Sequence, residues 1–72
     1  MSATGEVLEV TGRVVEALPN ALYRVEIMTG PRREVTAHAT GEALLRVRAG
    51  EAVVVELSPY DPGRGRIVRR QG

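Results

Sequence analysis

Residues 6–17 alternate apolar and polar side chains with a period of two, and the same rhythm returns in shorter runs along the chain. In the first run Leu8, Val10, Gly12 and Val14 fall on one face, and Glu9, Thr11 and Arg13 on the other. Only an extended backbone puts every second residue on one side, so the period assigns a long strand lying on a core. Gly12, in the middle of that strand, predicts a bend or bulge, because a residue without a side chain packs nothing there. Residues 18–21, Leu-Pro-Asn-Ala, then make a turn: proline fixes φ, and asparagine tolerates the left-handed region. A second strand is expected over 22–28, with Tyr23, Val25 and Ile27 facing one way and Arg24 and Glu26 the other. A Gly-Pro loop over 29–33 leads to a third strand, 34–39, with Val35, Ala37 and Ala39 inward and Thr36 and His38 outward. Strands four and five are expected over 52–57 and 65–70, joined by a turn at 58–63. Between the third and fourth, Ala43, Leu44 and Leu45 predict one short helical turn after Thr40, ended by Gly50.

A chain of 72 residues has room for one domain, here 1–72, with 1–5 and 71–72 expected to be flexible ends. Five short strands and one helical connector make an all-β fold. A sheet this small escapes exposed edges by closing into a barrel. A helical connector between strands three and four is the arrangement of the five-stranded Greek-key barrel called the OB-fold.

Several function classes fall away. There is no cysteine, hence no disulfide and no thiolate chemistry, and a reducing cytoplasm is the expected location. No apolar run approaches the roughly 18 residues of a membrane helix, so no membrane association is expected. The one histidine, His38, sits on the polar face of a strand without a serine or second histidine at triad spacing. One histidine and scattered glutamates do not make a metal site. The expectation is a monomer that is no enzyme and carries no metal or cofactor.

Charge points to a partner. All ten basic side chains are arginine, which codon usage in a GC-rich genome would produce and which also suits phosphate, through a planar forked donor. Residues 1–58 carry a net charge of −2 and residues 59–72 one of +3, from Arg64, Arg66, Arg69 and Arg70 against Asp61. Such polarisation raises the prior for an anionic partner. By strand parity Arg64, Arg66 and Arg70 share a face, a spacing that suits successive phosphates. The residues alone leave two readings open, a phosphate-binding strand or a solvated, frayed end. The aromatic content is only Tyr23, with core parity, and Tyr60, in the turn before the basic strand. That is too little for a base-stacking platform, so binding would rest on shape and phosphate, as for folded RNA.

At "SPYDPGRGRIVRR", taken with "GRVVEALPNALYRVEI" and "VTAHATG", the chain resembles bacterial translation initiation factor 1, an S1-type OB-fold family. The matching residues are Gly12, Val14, Glu16, Leu18, Pro19 and Asn20; Arg24 to Glu26 after Tyr23; Ala37, His38 and Gly41; Val53, Val55 to Leu57, Pro59 to Asp61, Gly65 to Ile67, and Arg70. The resemblance implies a non-enzymatic factor at the A site of the ribosomal small subunit, touching 16S rRNA helix 44 and ribosomal protein S12. It would block premature tRNA entry and work with the other two initiation factors in selecting initiator tRNA. It also implies that Pro19, Asn20, His38, Tyr60, Arg64, Arg66, Arg69 and Arg70 face rRNA. Two segments depart from the family pattern. The second hairpin, "MTGPRREV", is longer, and "GEALLRVRAG" is shorter than the family's basic segment and lacks its lysines and tyrosine. Arg46 and Arg48 are the partial substitutes there, and whether Arg32 and Arg33 compensate stays open. The alternative function is a paralogous OB-fold module that has left the decoding site and binds a protein or another RNA.

Overall fold

The computed structural model describes residues 8–39 and 47–71, with Pro62 described by its backbone alone. The alternating runs become five strands: β1 (Leu8–Leu18), β2 (Leu22–Ile27), β3 (Arg33–Ala39), β4 (Ala52–Ser58) and β5 (Asp61–Arg70). They close into a barrel in the order β1-β2-β3-β5-β4, with β4 returning to β1. All pairs are antiparallel except β3 with β5, which is parallel. This is the OB-fold barrel. Among the described residues there is no helix, and so no helix that could span a membrane. The helical turn expected at 43–45 lies outside the described residues.

The inward parity positions fill the interior. Val14, Val25, Ile27, Val35, Ala37, Ala39, Val47, Val53, Val55, Leu57 and Ile67 form one buried cluster, with Val10 and Tyr23 packed on it half-buried. Most of these are β-branched, which suits a pleated wall and lets a narrow barrel close without aromatic side chains. Leu8 has core parity yet is exposed, because it stands at the barrel's rim.

β1 lines two neighbours at once. Its first half pairs with β4, from Leu8↔Leu57 to Arg13↔Ala52, and its second half with β2, from Gly12↔Ile27 to Leu18↔Leu22. The bulge foreseen at Gly12 is instead between Val14 and Glu16, where Val15 is the extra residue and turns outward. Gly12 serves a different need. A Cβ there would overlap Val25 Cγ1 and stand 3.0 Å from the Glu26 carbonyl oxygen, so the strand passes against β2 only as glycine.

The last hairpin is tighter than the sequence indicates. Its turn is Pro59 and Tyr60 alone, and β5 starts at Asp61, paired with Ser58, rather than at Gly65. Proline in position 62 is no obstacle, because Pro62, Gly63 and Arg64 have no register partner on β4.

Candidate nucleic-acid interface

The parallel register of β3 and β5 builds the site. It sets Thr36 beside Arg64, Ala37 beside Gly65, His38 beside Arg66 and Ala39 beside Ile67. Ala37, Ala39 and Ile67 are buried, so alternation sends Thr36, His38, Arg64 and Arg66 to the outer wall. At one end of this seam the Ala39 N–H donates to the Ala21 carbonyl at 3.1 Å and ties down the turn with Pro19 and Asn20. Asn20 and Ala21 both take positive φ, 66° and 61°; asparagine accepts this readily, whereas alanine is strained by it. At the other end Tyr60 stands almost free in the β4–β5 turn, 88 % exposed, its N–H bonded to Ser58 Oγ. One outer strip therefore runs from Tyr60 through Arg64, Arg66 and His38 to Asn20.

The remaining arginines are distributed differently from their sequence parity. Ile67 pairs with Val55 and Arg69 with Val54, so Val68 is an extra residue in β5 and the alternation reverses after it. Arg69, not Arg70, thus returns to the outer wall. Arg70 lies opposite the fully buried Val53 and reaches Glu51 at 3.5 Å from the rim, which corrects the expectation that it shares a face with Arg66. Arg48 stands in the same turn as Glu51, its backbone N–H donating to Glu51 Oε1 at 3.1 Å. The 48–51 turn is pinned to β1 by Gly50 N–H to the Val14 carbonyl and Val14 N–H to the Glu51 carbonyl. Arg46 lies outside the described residues.

Each β5 arginine meets a carboxylate. Arg64 faces Asp61 at 3.9 Å, Arg69 faces Glu9 at 3.5 Å, Arg70 faces Glu51, and Arg66 makes the closest contact, with Glu56. The excess of +3 in the last residues of the sequence is therefore largely neutralised in space by β1, β4 and the 48–51 turn. Three of these partners, Glu9, Glu51 and Glu56, were missed by reading the segment alone. The outward parity of Glu56, in the strand hairpinned to β5, was the available signal. Glu9 and Glu56 are themselves register partners, a like-charge pair that Arg66 and Arg69 bracket. These contacts are mostly solvent-exposed and contribute only about 0–1 kcal/mol each, so they are exchangeable. Among the described residues the guanidinium groups of Arg13, Arg33 and Arg48 have no carboxylate within 4.0 Å. A shallow groove of about 310 Å³ is lined by Arg64, Gly65, Arg66 and Asp61 of β5 and by Glu56 and Ser58 of β4.

The model of the family described as translation initiation factor 1A / IF-1 matches residues 1–72. The chain belongs to that family. Its structure is similar to the solution structure of translation initiation factor 1 from the Wolbachia endosymbiont strain TRS of Brugia malayi, with a TM-score of 0.74. The two are 33% identical over 99% of this chain and 85% of that one. In this initiation-factor-1 chain two separate family motifs, Ala37-His38 and Gly65-Arg66-Ile67, are the two sides of the one β3–β5 seam. The 28–33 hairpin of this family member stands at the opposite end of β2 and β3 from the Asn20 turn. There Arg32 is held by Glu26 at 3.3 Å, and Arg33 lines a cleft of about 540 Å³ with Leu8, Val10, Ile27 and Pro31.

Proposed function

We propose that this initiation factor 1 family protein binds 16S rRNA at the A site of the ribosomal small subunit, against helix 44 and ribosomal protein S12. There it blocks premature tRNA entry and assists the other two initiation factors in selecting initiator tRNA, as a cytoplasmic monomer without a catalytic step. The observation that carries this reading is the seam register, which aligns His38 with Arg66 and Thr36 with Arg64 on one outer wall. Donors fixed on strands hold their spacing, which folded RNA demands and a loose tail does not supply. Arg69 extends the strip, and Arg70 gives a second basic contact beside Glu51, in the turn that also holds the exposed Arg48.

Co-sedimentation with purified small subunits at low and moderate salt tests the proposal. The protein is expected in the pellet at both, and its staying in the supernatant at both would defeat the ribosomal reading. Replacing Arg64→Ala together with Arg66→Ala is expected to weaken binding roughly tenfold and to flatten the salt dependence by about one unit of slope, chiefly through Arg64, whose partner Asp61 is exposed and exchangeable. An unchanged slope would remove β5 from the interface.

A second reading, a barrel that serves a protein partner, draws on the apolar cleft beneath the 28–33 hairpin, with Leu8 and Met28 exposed nearby. Binding to initiation complexes that survives RNase and is lost on Leu8→Glu would favour it.

A further inference from the structure

The Arg66–Glu56 pair differs from the other three on β5. The Glu56 side chain is only 19 % exposed, whereas the carboxylates facing Arg64, Arg69 and Arg70 are 59 %, 47 % and 31 % exposed. An exposed carboxylate swings aside when a phosphate arrives. Glu56 has less room to do so, because it sits on β4 with Glu9 opposite on one side and Arg66 on the other. It accepts from Arg66 Nη2, which leaves the other guanidinium N–H groups free. The Arg66 guanidinium is therefore both neutralised and oriented, with one edge held to Glu56 on the barrel wall and the groove shared with Arg64 alongside it.

We propose that Glu56 is a specificity-determining positioning residue of this RNA-binding face, deepening the function proposed above and resting on it. A neutralised arginine adds little to the attraction for a loose polyanion, because binding such a chain is driven by counterion release per unpaired cation. An aimed guanidinium still gives a directed, charge-assisted hydrogen bond to a phosphate oxygen that rigid RNA holds at the right place. Glu56 thus lowers affinity for unstructured RNA while preserving it for a folded target. The same logic explains why an arginine-rich strand can lie beside so many glutamates without losing its use.

The test compares the full chain with Glu56→Gln and with Glu16→Gln, which raises the net charge equally but removes one of the two carboxylates that face Arg24 on another strand. Fluorescence anisotropy with an unstructured uridine oligonucleotide measures loose binding, and small-subunit co-sedimentation measures the folded target. Glu56→Gln is expected to bind the oligonucleotide about threefold to tenfold tighter, with a salt slope steeper by about 0.7. Its subunit affinity is expected to stay level or fall, so that preference for the subunit drops. An unchanged oligonucleotide affinity, or an equal gain in Glu16→Gln, would overturn the proposal. Failure of the unaltered protein to bind subunits would sink the ribosomal reading, while the oligonucleotide comparison would still judge the role of Glu56.

Discussion

Gly65→Ala is expected to destabilise the protein by about 2–3 kcal/mol, lowering its melting temperature by roughly 10–20 °C. A Cβ on Gly65 would stand 2.7 Å from Val55 Cγ1 and 2.8 Å from both the Glu56 carbonyl oxygen and Leu57 Cδ2. One of these is backbone within the β4–β5 ladder, so relief requires the two strands to part. Gly63→Ala, two residues earlier, is the matched control. Nothing lies within 4 Å of its Cβ position and its φ is not positive, so its effect is expected within about 0.5–1 kcal/mol of zero, on the stabilising side. Thermal unfolding followed by circular dichroism separates the two. Equal melting temperatures would show that β4 and β5 do not approach as described. The same close approach serves the site, because Gly65 lies between Arg64 and Arg66 and holds β5 against Ala37 of β3.

Ile67→Ala is expected to cost about 2–5 kcal/mol, a range that reflects how far the walls can collapse on the cavity. Ile67 is fully buried, and among the described residues it is the only one that β5 contributes to the core. A domain of this size has only roughly 4–11 kcal/mol to lose, so the variant is expected to populate unfolded chains measurably at 37 °C. Urea titration reads the loss as a lower midpoint at an unchanged slope. Hydrogen exchange is expected to show it most strongly in β3 and β5, and protection there equal to that of the unaltered protein would contradict the assignment of Ile67 as the bolt of the seam.

How far the sequence disclosed all this depends on the range of the interaction concerned. The strands were legible because alternation is written in neighbouring residues: Val35, Ala37 and Ala39 were assigned inward and are buried. The turn at Asn20 was legible because its backbone conformation is chosen by the residues in it. What parity could not show was its own interruption. The extra residues at Val15 and Val68 carry no mark in composition, yet the second moves Arg70 off the outer wall and Arg69 onto it. In the sequence Gly12 points to a bulge because it packs no side chain, whereas the structure uses that same lack for close contact with β2. Charge misled for the same reason. Counting along the chain isolates the final arginines, while folding delivers Glu9, Glu51 and Glu56 to them from elsewhere. Side-chain type and register survive in a linear reading; the neighbours supplied by a closing barrel do not.

The parallel β3–β5 pairing also sets an order of events. The β1–β2, β2–β3 and β4–β5 ladders each join strands adjacent in sequence, so they close short loops and can form as their residues become available. The seam joins strands separated by all of β4 and the connector before it, and contacts of that separation form slowly. The β1–β4 ladder spans a longer stretch still, so both pairings are expected to follow the hairpins, and His38 and Arg66 to meet after β2–β3 and β4–β5 have formed. A chain with only its hairpins formed exposes its arginines but not the alignment of Arg64 and Arg66 with Thr36 and His38, which needs two distant parts of the sequence in place.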